Sequence, residues 1–193
     1  MAENDDTRTT RRQREAGYSL IEIMIVVALI GIVSAMAVPV SSTFLVQRKA
    51  DSAIVSALAA VTAARDRAVA ERRNIQMTFL PPNKIQLSRV EVPSGVVTPV
   101  QDFTLDNGQI FLKFDAVPDT PDHFGAATYA SFSGVMPVMF TSDGSLLDSN
   151  GDLSNGSIFV GFANQPNTAR AVTVFGVTGL TRAWKWRGSK WME

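Results

Sequence analysis

The chain has 193 residues, 46% of them hydrophobic and 19% charged, about one domain's worth of sequence with enough apolar content for a core. Eighteen basic residues balance eighteen acidic ones, so no global field recruits nucleic acid or anionic lipid, and any charge-driven function has to come from local asymmetry. With no cysteine and a single histidine, His123, disulfides, thiol catalysis, cysteine-based metal centres and two-imidazole mechanisms are excluded.

Residues 1–16 are polar and carry Arg8, Arg11, Arg12 and Arg14. Over 18–40 the character changes: nearly every residue is apolar, and Glu22 is the one charge. A helix crosses a bilayer core in about 20 residues, a length this run meets. Its basic N-terminal flank predicts a cytoplasmic N-terminus, with the rest of the chain on the far side. A plain signal anchor would have this form. So would a secretory signal peptide, with Ala35-Met36-Ala37 as its small-x-small cleavage site. Glu22 argues against both. A carboxylate costs roughly 2.5–3.5 kcal/mol at the centre of a membrane helix and less near its end. Neither an anchor nor a signal peptide has a use for that cost, whereas an intramembrane charge with a partner has a function. The bland alternative for Glu22 is a side chain snorkelling at the headgroup boundary.

Gly17-Tyr18-Ser19-Leu20-Ile21-Glu22, behind a basic leader and ahead of a long apolar helix, resembles the type IV prepilin cleavage and methylation motif. Tyr18 stands where phenylalanine is usual, and Ser19 where threonine is commoner. The resemblance implies removal of 1–17 by a membrane prepilin peptidase that cuts after Gly17 and N-methylates Tyr18. It also implies that Glu22 pairs with the N-terminal amine of a neighbouring subunit. The paired charge is tolerated in lipid and the lone one is not, which favours assembly in register.

Pro39 either ends the helix, since proline lacks the N–H and clashes with the preceding turn, or kinks one continuous helix, as the resemblance implies. The pattern resumes beyond it: Ala50, Ile54, Leu58, Val61, Ala64 and Ala68 recur at three- and four-residue spacing. One helix is therefore expected over 18–73, with a membrane half at 18–46 and an amphipathic half at 47–73. Arg67 and Glu71, four apart, are placed to pair weakly.

From Asn74 to the C-terminus the period becomes strand-like. Strands are expected near 75–79 and 85–87 as a hairpin around Pro81-Pro82, then at 96–103, 109–114, 134–140, 157–162, 171–175 and 180–186. Turn residues such as Asp143-Gly144 and Asn155-Gly156 separate them. The fold class is α+β, a long N-terminal helix laid on antiparallel sheet over 74–193. The helix end 64–74, the Val138-to-Gly144 strand and turn, and Arg170-to-Val174 leading to Thr178-Gly179 are similar to stretches of the GspH/FimT minor pseudopilins. This implies a pilin-like, non-enzymatic subunit without a cofactor. Its partners would be the prepilin peptidase, inner-membrane lipid and other pseudopilins or pilins. It would be assembled into a type II secretion pseudopilus or a type IV pilus, at the tip or priming complex.

Three further features carry rival readings. Asp148-Ser149-Asn150-Gly151-Asp152 alternates oxygen ligands as calcium loops do, but Phe159 stands where an EF-hand needs glutamate, which leaves a solvated turn as the favoured reading. His123 reads as a surface loop residue. No phosphate loop, nucleophile elbow or zincin motif occurs, and no metal site is expected. Finally, Arg182, Lys185, Arg187 and Lys190 are interleaved with Trp184 and Trp186, and cations beside rings suit DNA phosphates and stacked bases. The resemblance to the FimT branch implies DNA uptake, although Leu180 replaces the first arginine of that branch's GRxR motif. The competing reading is an amphipathic last strand with its tryptophans packed on the core or on a neighbouring subunit and its lysines in water.

Overall fold

The computed structural model describes residues 18–193, and of 36–43 the backbone alone. Helix α1 runs Leu20–Glu71 and continues through position 39 instead of ending there. It is followed by eleven strands: β1 Ile75–Leu80, β2 Lys84–Val90, β3 Val97–Thr104, β4 Ile110–Phe111, β5 Ala130–Phe132, β6 Val138–Phe140, β7 Leu146–Leu147, β8 Gly156–Gly161, β9 Arg170–Phe175, β10 Leu180–Trp186 and β11 Trp191–Met192. A short 3₁₀ turn, Pro166–Thr168, precedes β9. The fold is α+β with antiparallel pairing throughout. The chain divides into two units at 42/43.

In the first unit every described side chain of α1 up to position 35 is exposed, including Leu20, Ile21, Ile25, Val27, Leu29 and Val33. Among the described residues no helix is long and apolar enough to cross a membrane.

In the second unit α1 presents a stripe of small residues. Ala53, Ala57, Ala60, Val61, Ala64 and Ala68 have no exposed surface, and their small size lets two sheets approach the helix closely. The helix stops at Arg72, which takes the left-handed conformation (φ 51°). The Arg73 N–H then donates to the Ala68 carbonyl at 3.2 Å, closing the last turn as a Schellman-type cap does.

The first sheet has the order β3-β2-β1-β6-β7 and the second β11-β10-β9-β8-β4, with β5 also on β8. Alternate residues of both sheets enter one core with the helix: Ile75 and Met77 of β1, Ile85 and Leu87 of β2, Val138 and Phe140 of β6, Ile158 and Val160 of β8, Val172 and Val174 of β9. All six residues of β8 are buried, because its other face is covered too. The 112–129 segment, which has no strand or helix of its own, lies as a strap over the outer face of the second sheet. Phe159, Ala171 and Trp184 pack there against Ala126 and Trp191, and Val117, Ala169 and Trp186 pack against Phe114 and Trp191.

Candidate assembly site and the C-terminal strand

Gly17 lies outside the described residues, and so does the bond to Tyr18 that processing would break. Tyr18 is exposed, and the Ser19 carbonyl accepts from the backbone N–H of Glu22 at 3.0 Å and of Ile23 at 3.2 Å. This opens α1 with Glu22 in its first turn, where a negative charge complements the helix dipole. Glu22 is exposed and makes no ion pair among the described residues. A lone carboxylate therefore stands among exposed Leu20, Ile21, Ile23 and Ile25. Such a surface, in water, would expose a contiguous apolar patch that calls for lipid or other helices as cover.

The C-terminal strand is arranged differently from an open binding face. Trp184 and Trp186 share the outer face of β10, as alternation predicts, but both are buried under the strap. Their ring faces are occupied by protein, so neither is open for a stacked base. The Trp184 indole N–H donates to the Asp122 carboxylate and the Thr173 hydroxyl, each at 3.1 Å. Arg182 pairs with Asp122 at 2.8 Å, and the Thr173 hydroxyl donates to the same carboxylate at 2.6 Å. Lys185 lies on the helix side, 3.5 Å from Asp51. Arg187 and Lys190 stay exposed without an ion pair among the described residues. Of the six side chains that suggested DNA, two are walled in, Arg182 is paired with Asp122, and Lys185 shares Asp51 with Arg170, which favours the packing reading of this strand.

Asp122 and Arg170 are the organising polar groups that sequence reasoning missed. Arg170 is completely buried beneath the helix. Its Nε donates to Asp51 at 2.9 Å, and its remaining donors go to Gln47 Oε1 at 2.7 Å and to the Ala169 and Asn167 carbonyls. Burial pushes this guanidinium's pKa down, against the raising effect of Asp51. No spacing rule could have found this pair, since its members come from opposite ends of the domain.

The 148–152 turn uses its first carboxylate internally. Asp148 accepts from the backbone N–H groups of Val135 at 3.0 Å and of Asn150 and Asp152 at 2.9 Å each. The Val135 and Asp152 bonds hold its pKa below the usual carboxylate value. These bonds occupy the lone pairs a calcium ion would need, and among the described residues no acidic or histidine cluster fits a metal. In the neighbouring turn Asp143 is held at about 2 by the Thr141 hydroxyl, then by the Ser145 backbone and hydroxyl. His123 is exposed in the strap.

Against known proteins, residues 12–38 match the family model described as the prokaryotic N-terminal methylation motif. That segment contains Gly17, Tyr18 and Glu22, so the prepilin-type reading of these residues has an independent counterpart. No curated protein matches the chain. Among solved structures, the chain is similar to the type IV minor pilin FimU of Pseudomonas aeruginosa PAO1 in two crystal forms. In one, identity is 15% over 80% of this chain and 98% of that one, with a TM-score of 0.45. In the other, identity is 15% over 76% and 97%, with a TM-score of 0.44. It is also similar to the minor pseudopilin EpsH from the type 2 secretion system of Vibrio cholerae, at 13% identity over 69% and 97%, with a TM-score of 0.43.

Proposed function

We propose that this chain is a minor pilin or pseudopilin, a structural subunit and not an enzyme. It is cut after Gly17, methylated at Tyr18 and held in the inner membrane by the first half of α1, with its globular domain outside the cytoplasm. It then joins other pilin-like subunits in a type II secretion pseudopilus or type IV pilus, at the tip or priming complex. The observation that carries this reading is the methylation motif at 12–38, set on a helix whose described side chains up to position 35 are all exposed, with Glu22 as their one, unpaired carboxylate. Pro39 serves as a kink in that helix.

In this reading the new Tyr18 amine of one subunit approaches Glu22 of the next. Each charge is costly alone in lipid, and the pair offsets much of that cost. Cleavage supplies the amine, so processing and assembly are coupled in that order. The test is crosslinking in membranes with co-expressed pilin-like subunits, alongside a cleavage assay. Glu22→Ala and Glu22→Gln should both be cut normally and both lose partner contact. Partner recovery at wild-type levels in both variants would show that the carboxylate is not the assembly contact.

A further inference from the structure

Two glycine turns from different sheets close around one guanidinium. The β6–β7 turn brings Gly144 (φ 84°) and the β9–β10 turn brings Gly179 (φ 64°) against Arg65 of α1. A Cβ on Gly144 would lie 3.1 Å from Arg65 Nε. One on Gly179 would lie 2.6 Å from the same atom and 2.3 Å from the Gly144 carbonyl oxygen. Both turns thus need glycine for their backbone and for room beside Arg65.

Among the described residues the guanidinium held this way has no ion-pair or hydrogen-bond partner. Its Nε is buried without a hydrogen bond, as is Nη1 of Arg67, which differs in having a carboxylate at its Nε. Among the described residues, the other buried or half-buried arginines all have a carboxylate: Arg67 with Glu71 at 3.2 Å, Arg89 with Glu91 at 2.7 Å, Arg170 with Asp51 at 2.9 Å and Arg182 with Asp122 at 2.8 Å. Arg65 has none. Asp143, beside Gly144 in sequence, has its carboxylate bonded to Thr141 and Ser145. A buried donor left unmade costs about 1–3 kcal/mol, more when charged; Arg65 Nε is such a donor, and the side chain also lines a cavity through which an acceptor from outside can approach.

Next to it is a cavity of about 340 Å³, lined by Thr62, Arg65, Thr178, Gly179, Leu180 and Thr181. Three hydroxyls and one cation line it, and no carboxylate does. One guanidinium balances one carboxylate, whereas a phosphate dianion would keep a net negative charge with no second cation in the lining. Leu180, one of the lining residues, is 55% exposed, and Val177, next in sequence to Thr178, is 69% exposed. An apolar rim around a charged pocket suits an anion that arrives on a protein surface more than one free in solution.

We propose that this pocket receives one aspartate or glutamate side chain of another protein subunit, with Arg65 as its ion-pair partner and the threonine hydroxyls as further donors. Only the identification of the donor as a neighbouring subunit rests on the assembly reading above; the pocket's chemistry stands apart from it.

The test uses the ¹⁵N-labelled full chain in detergent micelles, following the Arg65 Nε–H resonance, assigned through Arg65→Lys. The probes are acetyl-Leu-Glu-Leu-amide, its glutamine analogue, acetate and inorganic phosphate, at constant ionic strength. The glutamate peptide should shift the resonance saturably and bind at least about threefold tighter than acetate, and the glutamine peptide should leave it unmoved. Thr181→Val, which keeps the arginine, should weaken the glutamate peptide by about threefold to tenfold. No saturable shift, or an equal response to the glutamine peptide, overturns the proposal. Acetate as tight as the peptide would make the ligand a free carboxylate, and phosphate tighter than both would make it a phosphate group; either result also overturns it. None of these probes depends on N-terminal processing, so failure here and failure of the assembly reading are told apart.

Discussion

Asp51 and Arg170 stand 119 positions apart and meet at 2.9 Å, with the arginine side chain wholly buried and the aspartate one third exposed. The pair fastens the second half of α1 to the strand that opens the C-terminal hairpin. Removing one member of a buried pair leaves the other uncompensated, at a typical cost of about 3–5 kcal/mol; here that applies to Arg170, whereas Asp51 keeps Lys185 at 3.5 Å. Because Asp51 is partly solvated, Asp51→Asn should fall at or below the low end of that range, and Arg170→Ala should cost more, since it also leaves Gln47 and two carbonyls unpaired. Denaturant midpoints would measure both. The double variant Asp51→Leu/Arg170→Met should cost less than the two single changes added together. Strict additivity would mean that the two groups do not act as a pair.

Asp122 pins the strap. Its carboxylate accepts from Thr173, Arg182 and Trp184, so Asp122→Ala leaves the buried indole N–H with Thr173 alone and frees Arg182. A loss of about 2–4 kcal/mol is expected from the broken network. The signature that separates strap release from global weakening is optical. Trp184 and Trp191 pack under the strap, so their emission should move to the red under conditions where far-ultraviolet circular dichroism still reports native strands. Unchanged emission in the folded variant would show that the strap holds without Asp122.

Acid should destabilise the domain over a defined window. Asp143 titrates at about 2 in the fold, against 3.8 for the free side chain, because Thr141 and Ser145 donate to its ionised form. Asp148 is also shifted down, by the Val135 and Asp152 N–H groups. A depressed carboxylate contributes stability that is fully present above its unfolded value and is lost as pH falls through the folded one. Stability should therefore drop between about pH 4 and pH 2. Asp143→Asn should be less stable at neutral pH and should lose less on acidification. A variant with the wild-type acid profile would contradict the assigned bonds.

The globular part should fold without the first half of the helix. Its core is built from Ala53 onward and from both sheets, and the helix that remains exposes only Val55 and Val69 among its large apolar side chains. Deletion of residues 1–45 should give a soluble product with a cooperative melt. An aggregated or non-cooperative product would mean that the boundary is misplaced.

Much of this architecture was legible in the sequence, and the reasons differ by element. The stripe at Ala50, Ile54, Leu58, Val61, Ala64 and Ala68 was readable because a helix repeats its face every three or four residues; five of the six are buried, and Leu58 is half-buried against the same core. Over 180–186 the expected strand coincides with β10. Strands β5, β7 and β11 were missed because two or three residues carry no period. The expected strand at 109–114 shrinks to Ile110–Phe111, since beyond it the chain turns into the strap, with Lys113 donating to the Phe114 and Val117 carbonyls. The tryptophan alternation predicted a shared face but not what covers it, because that depends on the strap, a long-range packing partner. Glu22 was legible from its cost in an apolar run, whereas the unpaired state of Arg65 required the positions of two turns that lie far apart in the chain.

The central claim is that this chain is made as a precursor and matured at its methylation motif. Intact and N-terminal mass analysis of the protein from membranes, with and without a co-expressed prepilin peptidase, tests it most directly. With the peptidase the account predicts a chain beginning at N-methylated Tyr18. Without it, and in Gly17→Ala even with it, the chain should keep residues 1–17. A chain beginning at Val38 would identify a secretory signal peptide instead. A chain still beginning before Tyr18 beside active peptidase would contradict processing altogether.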